Sequence, residues 1–341
     1  MSVLLDVKSL TKDFKIPARG LFSRANILRA VDHVSFQIHA GETFGLVGES
    51  GCGKSTLGKV ILNLIPPTSG DVQFNGNDVY AKMSAAENKK LRQQMQIIFQ
   101  DPYASLNPRM KIRDALAEPL IVHNLASGPE IEKRIRQLLD YVGLSAYLAD
   151  RYPREFSGGQ RQRIGIARAL AVEPKMIVCD EAVSALDVSV QSQMLNLFAD
   201  LQDELNLTYL FIAHGLNVVK HISDRVGVMY LGKLVEIARS KDIYHKPLHP
   251  YTQALFSSIP IPDPTVRKQR QILTGEVPSP LNPPSGCVFR TRCRFATEVC
   301  AEKIPLLEAR AAGHFVACHH VDALNTESQD PSQGTEKENE Q

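Results

Sequence analysis

The 341-residue chain offers no run of about 18 consecutive apolar residues, which excludes a transmembrane helix. Its first residues, MSVLLDVKSLTKDF, carry charges throughout and do not read as a secretory signal, so the expected compartment is the cytosol. There is no surplus of one charge: 39 basic against 37 acidic residues leave +2, which names no partner. No internal repeat and no extended heptad pattern is visible, and a phosphate-binding loop occurs once, not twice. Cys-x2-Cys pairs are absent, so the six cysteines do not spell a common structural zinc site. In a cytosolic chain they read as thiols or metal ligands rather than disulfides.

What is present is ordinary for a globular protein, with 43% hydrophobic and 22% charged residues. At about 100–200 residues per domain, the length suits one large domain with an appendage, or two domains. The charge is uneven. Residues 321–341 hold six acids and one base, which leaves about +7 on the rest. That polar, acidic tail reads as disordered.

The first forty residues read as strand material, VLLDVKSL and AVDHVSFQIHA, separated by a loop, PARGLFSRAN. TFGLVG is a short buried strand, followed by a glycine-rich turn and a helix, TLGKVILNLI, expected to end at Pro66 and Pro67. Residues 84–170 read as mostly helical, with EIEKRIRQLLDYVGL the clearest amphipathic stretch. MIVCDE and TYLFIAH are too apolar to be half-exposed and suit a parallel sheet, with the helix VQSQMLNLFADLQDEL between them. DRVGVMYLGKLVEIA reads as a terminal hairpin. Buried strands alternating with helices imply an α/β core. After residue 240 the texture changes, and 276–286 carries four prolines in eleven residues, an extended, loop-like segment.

Gly48-Glu49-Ser50-Gly51-Cys52-Gly53-Lys54-Ser55, followed by Thr56, fits the phosphate-loop pattern. Glycines let backbone N–H groups turn toward phosphate oxygens, Lys54 adds a charge near the β- and γ-phosphates, and the Ser55 hydroxyl can ligate Mg²⁺. The following helix points its positive end at the anion. Alone, the loop does not separate a kinase, a GTPase, a helicase or a transporter ATPase. A second anion-binding turn, Ser157-Gly158-Gly159-Gln160, precedes a basic helix. Asp180 and Glu181 then end an apolar strand, where adjacent acids are costly to bury without a cation such as Mg²⁺. Ser184-Ala185-Leu186-Asp187 follows, and His214 after one more strand.

With these motifs, about 1–320 resembles the ATP-binding subunits of ABC transporters. The resemblance implies an α/β, RecA-like nucleotide-binding domain with an N-terminal antiparallel β subdomain and a helical subdomain at about 90–165. It also implies two cassettes that close head to tail over two ATP molecules. By its position in TKDFK, Phe14 matches the aromatic that stacks on adenine; a core phenylalanine near a strand end is the alternative. Residues 48–56 match the phosphate loop. Gln100 matches the glutamine that senses Mg²⁺ and the γ-phosphate and faces the membrane partner. Residues 157–160 match the signature turn that contacts the opposite cassette's ATP. Asp180 resembles the Mg²⁺-linked carboxylate, Glu181 the general base, Asp187 the loop crossing the dimer interface and His214 the switch histidine. Ala182 and Gly215 depart from the family, which commonly has Pro and Asp there. Cys52 reads as a small filler in the loop, with the expectation that its alkylation blocks ATP binding and that ATP protects it.

Cys287, Cys293, Cys300 and Cys318 could be free thiols, a zinc site or ligands of a [4Fe–4S] cluster. The strings HPYTQALFSSIPIPDP, GEVPSPLNPPSGC and HFVACH resemble the C-terminal extension of oligopeptide and dipeptide importer ATPases, some of which carry that cluster. This implies an ATPase domain at 1–240, an importer-type extension at 241–320 and a tail at 321–341. The implied partners are a second, related ATPase in a heterodimer, two membrane permeases at the cytoplasmic face of the cell membrane and, indirectly, an extracytoplasmic peptide-binding protein. No nucleic acid is expected. Nickel or glutathione importers share much of the pattern. A soluble ABC ATPase of DNA repair or translation would need two cassettes or long coiled coils, and an exporter would lack the extension.

Overall fold

A computed structural model describes residues 2–17, 26–101, 103, 105–259, 273 and 275–322. Alternation of apolar and polar residues makes the first two strands, β1 (Val3–Ile16) and β2 (Asn26–His39), an antiparallel pair with Val7 opposite Phe36 and Phe14 opposite Leu28. Leu5, Val7, Val34 and Ile38 face inward and are buried. Most of the expected loop between them lies outside the described residues.

β3 (Thr43–Val47) is buried along its whole length and leads into α1 (Lys54–Ile61). The helix stops before the expected prolines. It ends where Asn63 turns into the left-handed region at φ 53°. β4 (Ser69–Phe74) and β5 (Asn77–Asp78) complete a four-stranded antiparallel sheet in the order β2-β1-β4-β5. α2 (Ala85–Gln94) starts on a capping box between Ser84 and Glu87. The stretch expected to be mostly helical then contains a strand, β6 (Met95–Ile98), at the edge of the central sheet. Four residues are too few to show a period against helical flanks.

α3 (Ile112–Val122), α4 (Pro129–Tyr141) and α5 (Gly158–Leu170) pack Leu116, Leu138 and Ile164 into the main core. β7 (Met176–Asp180), α6 (Val188–Leu205) and β8 (Thr208–Ile212) follow as the sequence predicts, and α7 (Leu216–Ile222) is a short helix the sequence reading does not foresee. β9 (Arg225–Tyr230) and β10 (Lys233–Arg239) form the expected hairpin, but it is not the end of the sheet. After α8 (Ser240–His245), α9 (Pro250–Ser257) and α10 (Glu298–Glu302), the chain returns as β11 (Glu308–Ala311) and β12 (His314–Val316). β12 pairs with β10, giving an eight-stranded sheet ordered β11-β12-β10-β9-β3-β8-β7-β6. Its five strands β9-β3-β8-β7-β6, out to the β6 edge, are parallel.

The return is anchored on one buried carboxylate. Glu236 of β10 is fully buried and accepts from the Leu248 N–H (2.7 Å), the His249 N–H (2.9 Å) and His314 Nε2 (2.7 Å). A carboxylate removed from water needs such partners. Most of residues 321–341, expected to be disordered, lie outside the described residues.

Candidate nucleotide site

The loop Gly48–Ser55 bridges the end of β3 and the start of α1. Two of its glycines are dictated by space and backbone angle. A Cβ on Gly48 (φ 154°) would stand 2.1 Å from the Met229 carbonyl oxygen, and one on Gly53 (φ 106°) 2.0 Å from that of Ala30. Gly53 is also the N-cap of α1, and no side chain caps the helix. Its first-turn N–H groups are therefore available to an anion. Lys54 is buried, its ammonium donating to the Gly48 (2.8 Å) and Glu49 (3.1 Å) carbonyls.

At the next strand end, Ser55 Oγ donates to Asp180 Oδ1 at 2.6 Å. Glu181 follows with φ 54°, a rare angle for a non-glycine residue. Its N–H donates to the Ile212 carbonyl (2.9 Å), which holds that geometry. Its carboxylate is met on both sides: Gln100 Nε2 donates to Oε2 at 2.7 Å, and His214 Nε2 lies 2.5 Å from Oε1. Backbone strain of this kind collects where a side chain must be aimed.

A cleft of about 280 Å³ is lined by Phe14, Ser50, Gly51, Cys52, Gly53, Lys54, Ser55, Thr56, Glu181 and His214, with Pro280 of the extension at its rim. Phe14 is half-buried there, with Lys12 Nζ 5.1 Å from its ring centroid, so it is not a core phenylalanine. Cys52 is 4% exposed, and burial raises its thiol pKa. Alkylation is therefore expected to be slow and to need opening of the loop, a restraint its position in the loop does not reveal.

Ser157, Gly158, Gly159 and Gln160 do not line this cleft. They open α5, where Ser157 Oγ accepts from the Gln160 N–H (3.3 Å) and Gln160 Oε1 from the Ser157 N–H (3.0 Å). Asp187 caps α6. The Ser189 hydroxyl and the Val190 N–H hold its carboxyl below the ordinary aspartate range. Two arginines of α5 reach the segment after Gln100: Arg161 donates to the Tyr103 hydroxyl and Arg168 to the Ser105 carbonyl.

Of the C-terminal thiols, Cys287 and Cys293 are raised in pKa by burial. Burial, with the nearby other three thiols, pushes Cys318 up to about 11. Among the described residues, however, no three His, Cys, Asp or Glu side chains gather closely enough to hold a metal ion. The expected cluster is not supported: the four thiols are neighbours without forming a cage. The sequence reading also missed Tyr251 and Arg292, which reach the phosphate loop from the extension. The Tyr251 hydroxyl accepts from the Glu49 N–H (3.0 Å), and Arg292 Nη1 lies 3.2 and 3.0 Å from the two Glu49 carboxylate oxygens.

Comparison with known proteins agrees with this geometry. Residues 31–184 match the family model for ABC transporters, and 235–300 match the oligopeptide/dipeptide transporter C-terminal region. The chain is 52% identical to the oligopeptide transport ATP-binding protein AppF of Bacillus subtilis over 93% of its length and 97% of that protein's. It is 51% identical to the oligopeptide transport ATP-binding protein OppF of Haemophilus influenzae, over 94% and 97%. Among solved structures, the dimeric post-hydrolysis state of the ATP-binding cassette MJ0796 with ADP and Pi aligns at TM-score 0.61 and 29% identity, covering 70% of this chain and 99% of that one. The cbiO1 structure from Clostridium perfringens aligns at TM-score 0.62 and 27% identity, over 72% and 92%. The chain is an ATP-binding cassette ATPase. It belongs to the ABC transporter ATP-binding family, in the group that carries the oligopeptide/dipeptide transporter C-terminal region.

Proposed function

We propose that this protein hydrolyses ATP to power import of oligopeptides or dipeptides through a membrane ABC transporter. The observation that carries the reading is the pairing of Ser55 with Asp180 and of Gln100 and His214 with Glu181 around one cleft, in a chain that also bears the importer-type extension. The loop N–H groups and Lys54 bind the β- and γ-phosphates. Ser55 and Asp180 form a hard-oxygen pair suited to Mg²⁺, which when bound neutralises charge on the phosphates. Glu181 orients the attacking water and takes its proton, Gln100 and His214 fixing its two oxygens. Phe14 stacks on adenine.

Ser157–Gln160 serve the ATP of an opposite cassette, and Asp187 crosses the interface. A heterodimer with a related ATPase, two permeases and, indirectly, a peptide-binding protein complete the assembly, with this chain peripheral on the cytoplasmic face of the cell membrane. Among the described residues no helix is long and apolar enough to cross a membrane itself. The working division is 1–240 as ATPase and 241–320 as extension. Cys287, Cys293, Cys300 and Cys318, neighbours that form no cage as they stand, would have to draw together to hold a [4Fe–4S] cluster, an electron-carrying group when bound. Anaerobically purified protein without iron or broad visible absorbance removes that reading.

The test is pull-down through this chain from gently solubilised membranes, with Glu181→Gln assayed in the recovered complex. Two permeases, a second ATPase and a loss of hydrolysis of about a thousandfold, with ATP still bound, support the proposal. Recovery only in the soluble fraction with ribosomal or repair proteins overturns the transport reading.

A further inference from the structure

Glu49 is the one acid in the phosphate loop, and the extension holds it twice. Its backbone N–H donates to Tyr251 of α9, and its carboxylate meets Arg292, which lies in the turn between Cys287 and Cys293. Both partners are deeply set: Tyr251 is fully buried and the Arg292 side chain 8% exposed. Behind them the rings of Tyr230, Tyr251 and Phe289 pack with centroids 4.7–5.4 Å apart, and Arg292 Nη1 also reaches the Tyr230 hydroxyl at 3.4 Å. Arg292 is thus fixed by packing as well as by charge.

A carboxylate on a loop that must receive a polyanion works against binding unless its charge is neutralised. We propose that Arg292 and Tyr251 are positioning residues of the nucleotide site: the extension neutralises Glu49 and sets the loop for ATP, so the nucleotide site is incomplete without these two side chains. This rests on the phosphate loop being the ATP site. A half-buried, charge-assisted contact, with the arginine nearly enclosed and the carboxylate 25% exposed, is stronger than a fully exposed pair. Its loss leaves Glu49 unneutralised rather than merely unsupported.

The experiment is a fluorescence titration of the purified full-length chain with trinitrophenyl-ATP and Mg²⁺, accompanied by thermal melts. Arg292→Ala is expected to weaken binding about tenfold, and Arg292→Lys less. Adding Glu49→Gln to Arg292→Ala restores part of the lost affinity, because the uncompensated charge is gone. A merely structural role for Arg292 would not give that recovery. Wild-type affinity in Arg292→Ala, or no recovery in the double variant, overturns the proposal. If Arg292→Ala does not fold, Tyr251→Phe decides. It keeps the ring and removes only the acceptor of the Glu49 N–H, with an expected loss of about threefold; unchanged binding overturns the proposal. A wild-type chain that does not bind, or binds no better than Lys54→Ala, overturns the nucleotide-site reading itself.

Discussion

The two glycine-rich turns, Gly48–Ser55 and Ser157–Gln160, both open helices, yet they meet the orphan N–H groups of those helices differently. The first leaves them uncapped, buries a lysine beneath them and is braced by residues far along the chain. The second closes on itself through a capping box. The first turn of α1 keeps its own N–H groups unspent for an anion, while the Glu49 N–H earlier in the loop goes to Tyr251. The second glycine-rich turn commits the Ser157 and Gln160 N–H groups to its own capping box.

The largest expected effect separates the two turns. In the isolated chain Lys54→Ala weakens ATP binding by about a thousandfold, two charge-assisted contacts at about 2 kcal/mol each. Ser157→Ala leaves that affinity unchanged. Equal losses in a titration would erase the distinction.

The next effect tests the brace through pH. Burial drives the His249 pKa down to about 4, against an ordinary 6.5, with Glu236 opposing the shift. The unfolded chain then binds a proton that the folded chain refuses. Stability is fully present above pH 6.5 and falls as pH drops toward 4, by up to about 3 kcal/mol. His249 caps α9, which carries Tyr251, so thermal melts of His249→Asn should show a flatter acid limb than the native chain.

Smaller effects concern the caps alone. Ser157→Ala costs about 1 kcal/mol of stability by denaturant titration, with hydrolysis reduced only in the assembled dimer. Gly215 is the uncapped N-cap of α7 at φ −75°, an ordinary angle, and a Cβ there would lie 3.3 Å from Val218 Cγ2. Gly215→Asp should add a few tenths of a kcal/mol, leave ATP affinity similar and not lower turnover. A large loss of turnover would show that the glycine is required for switching.

The sequence makes the phosphate loop, the acid pair and the buried strands legible, because each is a local run with a fixed period or spacing. Met95–Ile98 is hidden by its brevity and Asn63 by the louder prolines after it. The aim of Glu181 is hidden too, since no residue type announces a left-handed glutamate. The contact between Arg292 and Glu49 spans 243 positions. Only the fold brings them together, and an arginine between two cysteines draws attention to the cysteines.

The anchoring of the chain's return on Glu236 has a consequence for synthesis. A nascent chain that has completed β10 but not yet extruded His314 carries a carboxylate short of one partner and a strand edge without β12. The ATPase sheet is therefore not finished when His214 of the nucleotide cleft emerges, about a hundred residues earlier. Between those two moments the chain presents a pairing edge to its neighbours on the same messenger, and chaperone capture is expected to concentrate in that interval.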